Sequence, residues 1–256
     1  MPPGAPFFPA AYAPPQLKEG DVLVALALEA ADVAVTAFEN AETAADARAA
    51  LVQALESHGT RLADLVSRAA GQHGGHFLGL DFSLAPYPDE ATSLGAALER
   101  LGVAALGAHG SLAAAAFLAD ALDRAAFPRT GFNGLMLPVL EDAVLAARAA
   151  EGVLSVKDLL LYSAVCGTGL DTVPLPGDTT ADQMAAVLTD VAALARRLRK
   201  PLTARLMPMP GKRAGDVVTF DFPYFADSRV MPLQAAPLNG AVNTGDYDLR
   251  ARCSDV

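Results

Sequence analysis

Short apolar runs without polar alternation take turns with longer stretches of helical period along this chain. Val22 to Leu28 is the first such run, and its lack of alternation predicts a strand buried on both faces. From about Glu29 to Ala70 the spacing turns helical, as at Leu51, Leu55, Leu62, Leu65 and Val66, with Gly59 as the expected break between helices. His76 to Phe82 reads as a second strand, followed by a loop and a helix from about Ala91. Ser111 is the expected N-cap of the Ala-rich helix that comes next. Phe132 to Leu137 reads as a further strand, and Glu141-Asp142 opens a helix, where acids suit the positive end of the macrodipole. Val156 to Val165 is apolar and runs into a Gly-rich loop. Ala181 to Arg199 is an amphipathic helix with a basic C-terminal end, stopped by Pro201. Leu202 to Met207 and Val217 to Phe220 complete the strands. This alternation predicts an α/β fold with largely parallel strands. It occupies residues 1–225 as one domain, and a Pro-, Asn-, Gly- and Asp-rich irregular tail covers 226–256.

Composition narrows the function classes. Of 256 residues, 52% are hydrophobic and 19% charged, which excludes disorder as the main state. A net charge of −10 argues against nucleic acid or anionic lipid as a partner. Cys166 and Cys253 lie far apart, so a disulfide framework is not expected and a reducing cytoplasm is the simpler reading. The Pro-rich N-terminus has no basic region of the signal-peptide kind. The uncharged stretch from Leu101 to Ala119 is rich in Gly and Ala and reads as strand, turn and buried helix, so no membrane span is expected.

A repeated loop chemistry supplies the candidate site. Gly79-Leu80-Asp81 leads to Pro86-Tyr87-Pro88-Asp89, and Gly169-Leu170-Asp171 leads to Pro174-Leu175-Pro176-Gly177-Asp178. A third relative is Pro208-Met209-Pro210-Gly211-Lys212. In parallel α/β folds ligands bind beyond the carboxyl ends of strands, so the three loops are expected to converge on one mouth presenting Asp81, Asp171, Asp178 and Lys212. Helix capping is the alternative for Asp89 and Asp178. Cys166, beside Gly167 and Gly169, is a nucleophile or one-electron centre if a cation or helix end lowers its pKa, and otherwise a buried small hydrophobe. Cys253 is incidental in its polar tail.

No nucleotide motif is present. Thr172 stands where a dinucleotide fingerprint needs its third glycine, and Leu206 and Arg213 break a phosphate loop around Gly211-Lys212. His73 and His76 fit a solvated turn better than a metal site, and His109 faces an anion or belongs to a helix cap. Glu141 or Asp142 is a candidate to join Asp171 around a divalent cation, with dipole complementation as the alternative. Arg205 ends an apolar run, where a cation needs a carboxylate or bound anion.

The stretches Pro6 to Tyr12, Gly79-Leu80-Asp81 with Ser83 and Pro86, and Gly134 to Asp142 resemble domain-of-unknown-function family number 711. So do Ser163 to Asp178, Lys200-Pro201-Leu202 and Arg205-Leu206-Met207-Pro208, with Pro210-Gly211-Lys212. The resemblance runs over most of residues 6–225. It implies a pyruvate formate-lyase-like fold, a closed ten-stranded α/β barrel around an inner loop. Those radical enzymes carry a catalytic cysteine on that loop, and Cys166 resembles it in position. The glycyl radical motif is absent, since Arg229-Val230-Met231-Pro232 has no glycine. Members carry a substantial region ahead of the Phe-Phe-Pro-Ala segment, and the six or seven strands counted here are too few for ten. The expectation is therefore a shortened or split barrel, completed by a second copy or another chain, or left open with apolar edges.

Together these readings predict a cytoplasmic small-molecule enzyme of open reaction class. Cys166 is its reactive group, and Asp171 its general acid or base. Asp81 and Glu141 assist or hold a cation, and Arg205 and Lys212 engage a carboxylate or phosphate, with Gly167, Gly169, Asp178 and Gly211 lining the ligand. The alternative is a non-catalytic ligand-binding or sensor protein that uses the same pocket.

Overall fold

Two parallel strand pairs carry the architecture. In the computed structural model, which describes residues 22–242, 249 and 250, β1 (Val22–Glu29) pairs with β2 (Gly75–Ser83), and β3 (Gly169–Pro176) with β4 (Thr203–Met209). Residues 6–12 and Cys253 lie outside the described residues. Between β1 and β2 run α1 (Ala31–Phe38) and α2 (Ala44–Gln72). α2 continues through Gly59, where a break was expected, and the chain turns instead at residues 39–43. Thr43 and Asp46 cap α2 reciprocally, each side chain accepting from the other's backbone N–H. Gly59 has a packing role, because a Cβ there would stand 2.7 Å from the Cβ of Phe127.

A 3-10 turn (Glu90–Thr92), α3 (Leu94–Arg100) and α4 (Ser111–Arg124) follow β2. The N-cap of α4 is Gly110, not Ser111. The entry needs a left-handed backbone, φ 105°, which glycine adopts freely, and the Ser111 hydroxyl donates to the Ala108 carbonyl at 2.7 Å. Much of the uncharged stretch becomes α4, which buries Ala114, Ala115 and Leu118, and no described helix is long and apolar enough to cross a membrane.

The expected strand at residues 132–137 is an extended segment that touches its neighbours at single bridges. Gly131 (φ 75°), Asn133 (φ 47°) and Pro138 interrupt its run. Leu80 and Leu84 donate their N–H groups to Pro128 and Gly134, and Val139 donates to Asp171, so the segment joins β2 on one side to β3 on the other. The order is thus β1, β2, segment, β3, β4, parallel throughout and sequential. The connecting helices cover the strands: α2 packs on β1 and β2, α6 (Val156–Tyr162) on β3, and α7 (Ala181–Leu198) on β4.

The described strands do not close into a barrel. β1 is an outer strand whose residues are all half-buried or exposed, which corrects the expectation of burial on both faces. β4 on the other side is half-buried along most of its length, with Arg205 exposed. Only the inner strands are covered: Gly79–Ser83 at the end of β2 and Gly169–Leu175 in β3 are buried. One continuous core joins Leu51 and Leu55 of α2, Leu80 and Phe82 of β2, Leu118 and Leu122 of α4, and Val173 and Leu175 of β3.

α5 (Ala143–Ala150) precedes α6, and a small antiparallel pair, β5 (Val217–Val218) with β6 (Ser228–Arg229), follows β4. Beyond residue 225, the chain packs back onto the fold at residues 228–231. Val230 and Met231 are buried, and the Met231 N–H donates to the Pro174 carbonyl at 2.8 Å.

Candidate functional site

The pairing of β3 with β4 slips between Leu170 and Val173, which takes Asp171 and Thr172 out of the regular ladder. Thr172 sits at φ 44°, and its hydroxyl accepts the Leu140 N–H at 3.1 Å, while the Asp171 carbonyl accepts from Val139. This irregularity pins the end of the extended segment and places Glu141 beside Asp171. Arg205, the third residue of β4, reaches both: its Nε donates to Asp171 Oδ1, and its Nη2 lies 2.9 Å from Glu141 Oε1. Asp171 is 3% exposed, whereas the Arg205 side chain is half exposed. Of the two partners expected for Arg205, a carboxylate or a bound anion, the carboxylate is present twice over.

Burial pushes the Glu141 carboxyl above the ordinary carboxylate range. The negative charges of Asp171 and Glu29 add to that, and Arg205 opposes it. Arg205 is held in its charged form, chiefly by its hydrogen bond to Asp171. A protonatable carboxyl therefore stands beside a fixed guanidinium, an arrangement that can anchor an anion and pass it a proton.

The guanidinium occupies the place between Glu141 and Asp171 where the divalent-cation reading needs an ion. Asp142 lies apart from the pair. It is fully buried, caps α5 through the Val144 and Leu145 N–H groups, and accepts from Ser93 Oγ at 2.5 Å and the Gly95 N–H at 3.0 Å. Burial raises its pKa despite those donors. Among the described residues no three His, Cys, Asp or Glu side chains group in a way that could hold a metal ion. His73, the C-cap of α2, and His76 in β2 are both exposed. His109 lines a cavity of about 520 Å³ between the N-termini of α2 and α4, with Arg100 and Glu42.

Asp81 serves the scaffold. Its carboxylate accepts the N–H groups of Phe132 and Asn133 at 3.0 and 2.9 Å and the Ser83 hydroxyl at 2.6 Å. Asn133 returns the connection by accepting the Phe82 N–H at 2.9 Å. These bonds hold residues 132–135, which form one wall of a cavity of about 270 Å³ lined also by Cys166, Gly167, Lys200 and Asp123. Cys166 is 1% exposed, and of the expected site residues only Cys166 and Gly167 line this cavity. The structure therefore brings Glu141, Asp171 and Arg205 together at one place and Cys166 with Gly167 at another.

Two of the three Pro-x-Pro turns meet: the Gly177 N–H donates to the Lys212 carbonyl at 2.9 Å. Gly169, in a left-handed conformation, is buried against the Thr203 backbone at the start of the same strand pair. Asp178, Gly211 and Lys212 are exposed at the turns themselves, and α7 is capped by Thr180, not Asp178. Asp89 does cap, accepting the Ala91 N–H at 2.8 Å. The third turn goes elsewhere, since Tyr87 meets Tyr224 edge to face within a cluster that includes Phe220, Phe222 and Phe225. Lys200 was not among the expected site residues because a lysine closing a basic helix end reads as a macrodipole partner.

Proteins of similar sequence extend this picture without assigning it a reaction. The chain is 40% identical over 224 residues to a UPF0210 protein of Pyrobaculum arsenaticum, covering 84% of this chain and 49% of the relative. A UPF0210 protein of Lactobacillus delbrueckii subsp. bulgaricus is 33% identical over 233 residues, 89% of this chain and 52% of its own length. Another, from Oleidesulfovibrio alaskensis, is 33% identical over 242 residues, 91% of this chain and 52% of the relative. The chain spans about half the length of the curated relatives it matches. With residues 1–227 matching it, the chain belongs to the family described as Uncharacterised ACR (DUF711).

Proposed function

We propose that the protein is a small-molecule enzyme acting at the Glu141–Arg205–Asp171 cluster on a ligand that carries a carboxylate or phosphate. The observation that carries this reading is Glu141, a partly buried carboxyl with a raised pKa, 2.9 Å from the half-exposed guanidinium of Arg205. Arg205 anchors the anion through its outward N–H groups, Asp171 fixes the guanidinium, and Glu141 supplies or takes the proton. The Cys166-Gly167-Thr168-Gly169 loop leads directly into the strand that carries Asp171, and Lys212 is a second cation at the turn beyond β4. A reducing cytoplasm suits the two widely separated cysteines.

The outer strands support a partner in the same reading. β1 and β4 are half-buried, parallel and largely apolar, and a parallel sheet is ordinarily covered. A second copy or another chain pairs with these edges and extends the sheet toward a barrel.

Turnover of a library of small organic acids and phosphate esters by the wild type, Glu141→Gln and Asp171→Asn tests the enzyme reading. The expected outcome is a substrate whose turnover falls by roughly a hundredfold in Glu141→Gln. A ligand that binds by calorimetry at Arg205 while no member of the library turns over would instead establish a sensor protein.

A further inference from the structure

Cys166 and Lys200 line a cavity distinct from the carboxylate cluster. Cys166 sits on the turn that ends α6, its N–H donating to the Tyr162 carbonyl at 2.8 Å. Lys200 reaches the cavity from the connection between α7 and β4, where Arg199 turns the chain at φ 53°. Its ammonium donates to the Ala164 carbonyl at 3.1 Å. Burial lowers the Lys200 pKa, while negative charge on Cys166 or Asp123 acts to keep the proton on. Leu122, Leu135, Val165 and the Phe132 ring supply an apolar part of the remaining wall, and Asp123 and Asn133 its polar part. The ring lies against Gly167 so closely that a Cβ there would overlap it. The cavity thus offers a nucleophile, an amine able to change protonation, and room for a short apolar chain.

We propose that Cys166 and Lys200 form a second site, one that captures a small aldehyde as a hemithioacetal. Lys200 in its unprotonated form takes the thiol proton. The S–C bond forms as the carbonyl π pair moves onto oxygen, and the Lys200 ammonium then returns the proton to that oxygen. Thiol and aldehyde combine in one adduct, with no leaving group and no change of oxidation state, and Lys200 returns to the form in which it took the proton. Addition is the reaction that these two groups complete by themselves.

The test is alkylation of Cys166 by iodoacetamide in the native full chain, read by peptide mass spectrometry with and without butyraldehyde. The expected result is labelling in the folded protein that butyraldehyde slows by at least about tenfold. Carbon-13-labelled butyraldehyde gives a bound hemithioacetal resonance that disappears in Cys166→Ser. Lys200→Met slows the labelling, and Lys200→Arg, which keeps the charge but not the proton transfer, restores labelling without restoring aldehyde protection. Cys166 that reacts only after denaturation, or reacts natively with no protection by butyraldehyde, would overturn the proposal. The wild-type arm decides the matter even if the lysine variants fold poorly.

Discussion

Gly177 donates its backbone N–H to the carbonyl of Lys212 at 2.9 Å, so the turn after β3 lies backbone to backbone on the turn after β4. A Cβ at Gly177 would run into the Met209 carbonyl and crowd the Gly211 nitrogen. Gly177→Ala is expected to destabilise the fold by roughly 2–3 kcal/mol, measured as a shift in urea midpoint. No neighbouring side-chain substitution should restore it, because the obstructing atoms are backbone. Gly167→Ala meets the Phe132 ring instead, and Phe132→Leu should recover part of its loss. Equal rescue of both glycine variants would contradict this distinction.

Arg205 and Asp171 should couple strongly in a double-mutant cycle. Arg205→Met leaves the Asp171 carboxylate buried beside Glu141 without its cation. Losing one partner of a fully buried pair costs about 3–5 kcal/mol, and the half-exposed guanidinium reduces that to about 2 kcal/mol here through solvent screening. The Arg205→Met, Asp171→Leu double variant should be more stable than Arg205→Met alone. Additive losses would show that the two side chains act independently.

Stability should fall as pH rises above the ordinary carboxylate range. Burial raises the pKa of both Glu141 and Asp142 in the folded chain, so between the unfolded and folded values the native state binds more protons. The slope of unfolding free energy against pH is then negative across that window. Glu141→Gln and Asp142→Asn are permanently neutral and should flatten it, seen in urea titrations from roughly pH 4 to pH 8. Asp142→Ala should in addition cost on the order of 3 kcal/mol, since it removes the cap of α5 and the acceptor of the Ser93 hydroxyl and Gly95 N–H. A wild-type slope unchanged by either neutral substitution would contradict the assignment.

Local patterning made β1, β2, α7 and β4 readable because each is a continuous run with its own signal. The apolar stretches of β1 and β2, and Pro201 after α7, stand in the residues themselves. Arg205 announced a carboxylate or anion partner by the chemistry of a cation in an apolar run. What stayed hidden depends on long-range pairing. The register slip at Asp171, the bridge of residues 128–140 between β2 and β3, and the separation of Cys166 from Asp171 are fixed by bonds between residues tens of positions apart. Exposure of β1 was hidden for the same reason, since an apolar run looks alike in a central strand and in an outer one. Asp81 and Asp171 each end the same Gly-Leu-Asp triplet, yet one orders a neighbouring segment and the other faces a guanidinium.

Asp81 provides the link from β2 to the Cys166 cavity that substitution can expose. Both of its oxygens accept from the wall at residues 132 and 133, and Ser83 adds a third donor. Asp81→Asn turns one acceptor into a donor facing a backbone N–H, at a cost of about 2 kcal/mol. The wall it releases includes Phe132, the ring that covers Gly167, next to Cys166. The variant should therefore lose stability in urea and also gain reactivity of Cys166 toward iodoacetamide at denaturant-free equilibrium. Asp171→Asn, a substitution in the other cluster, should leave that labelling rate unchanged. If Asp81→Asn destabilises the chain while Cys166 keeps its wild-type rate, the carboxylate supports β2 without controlling the cavity wall.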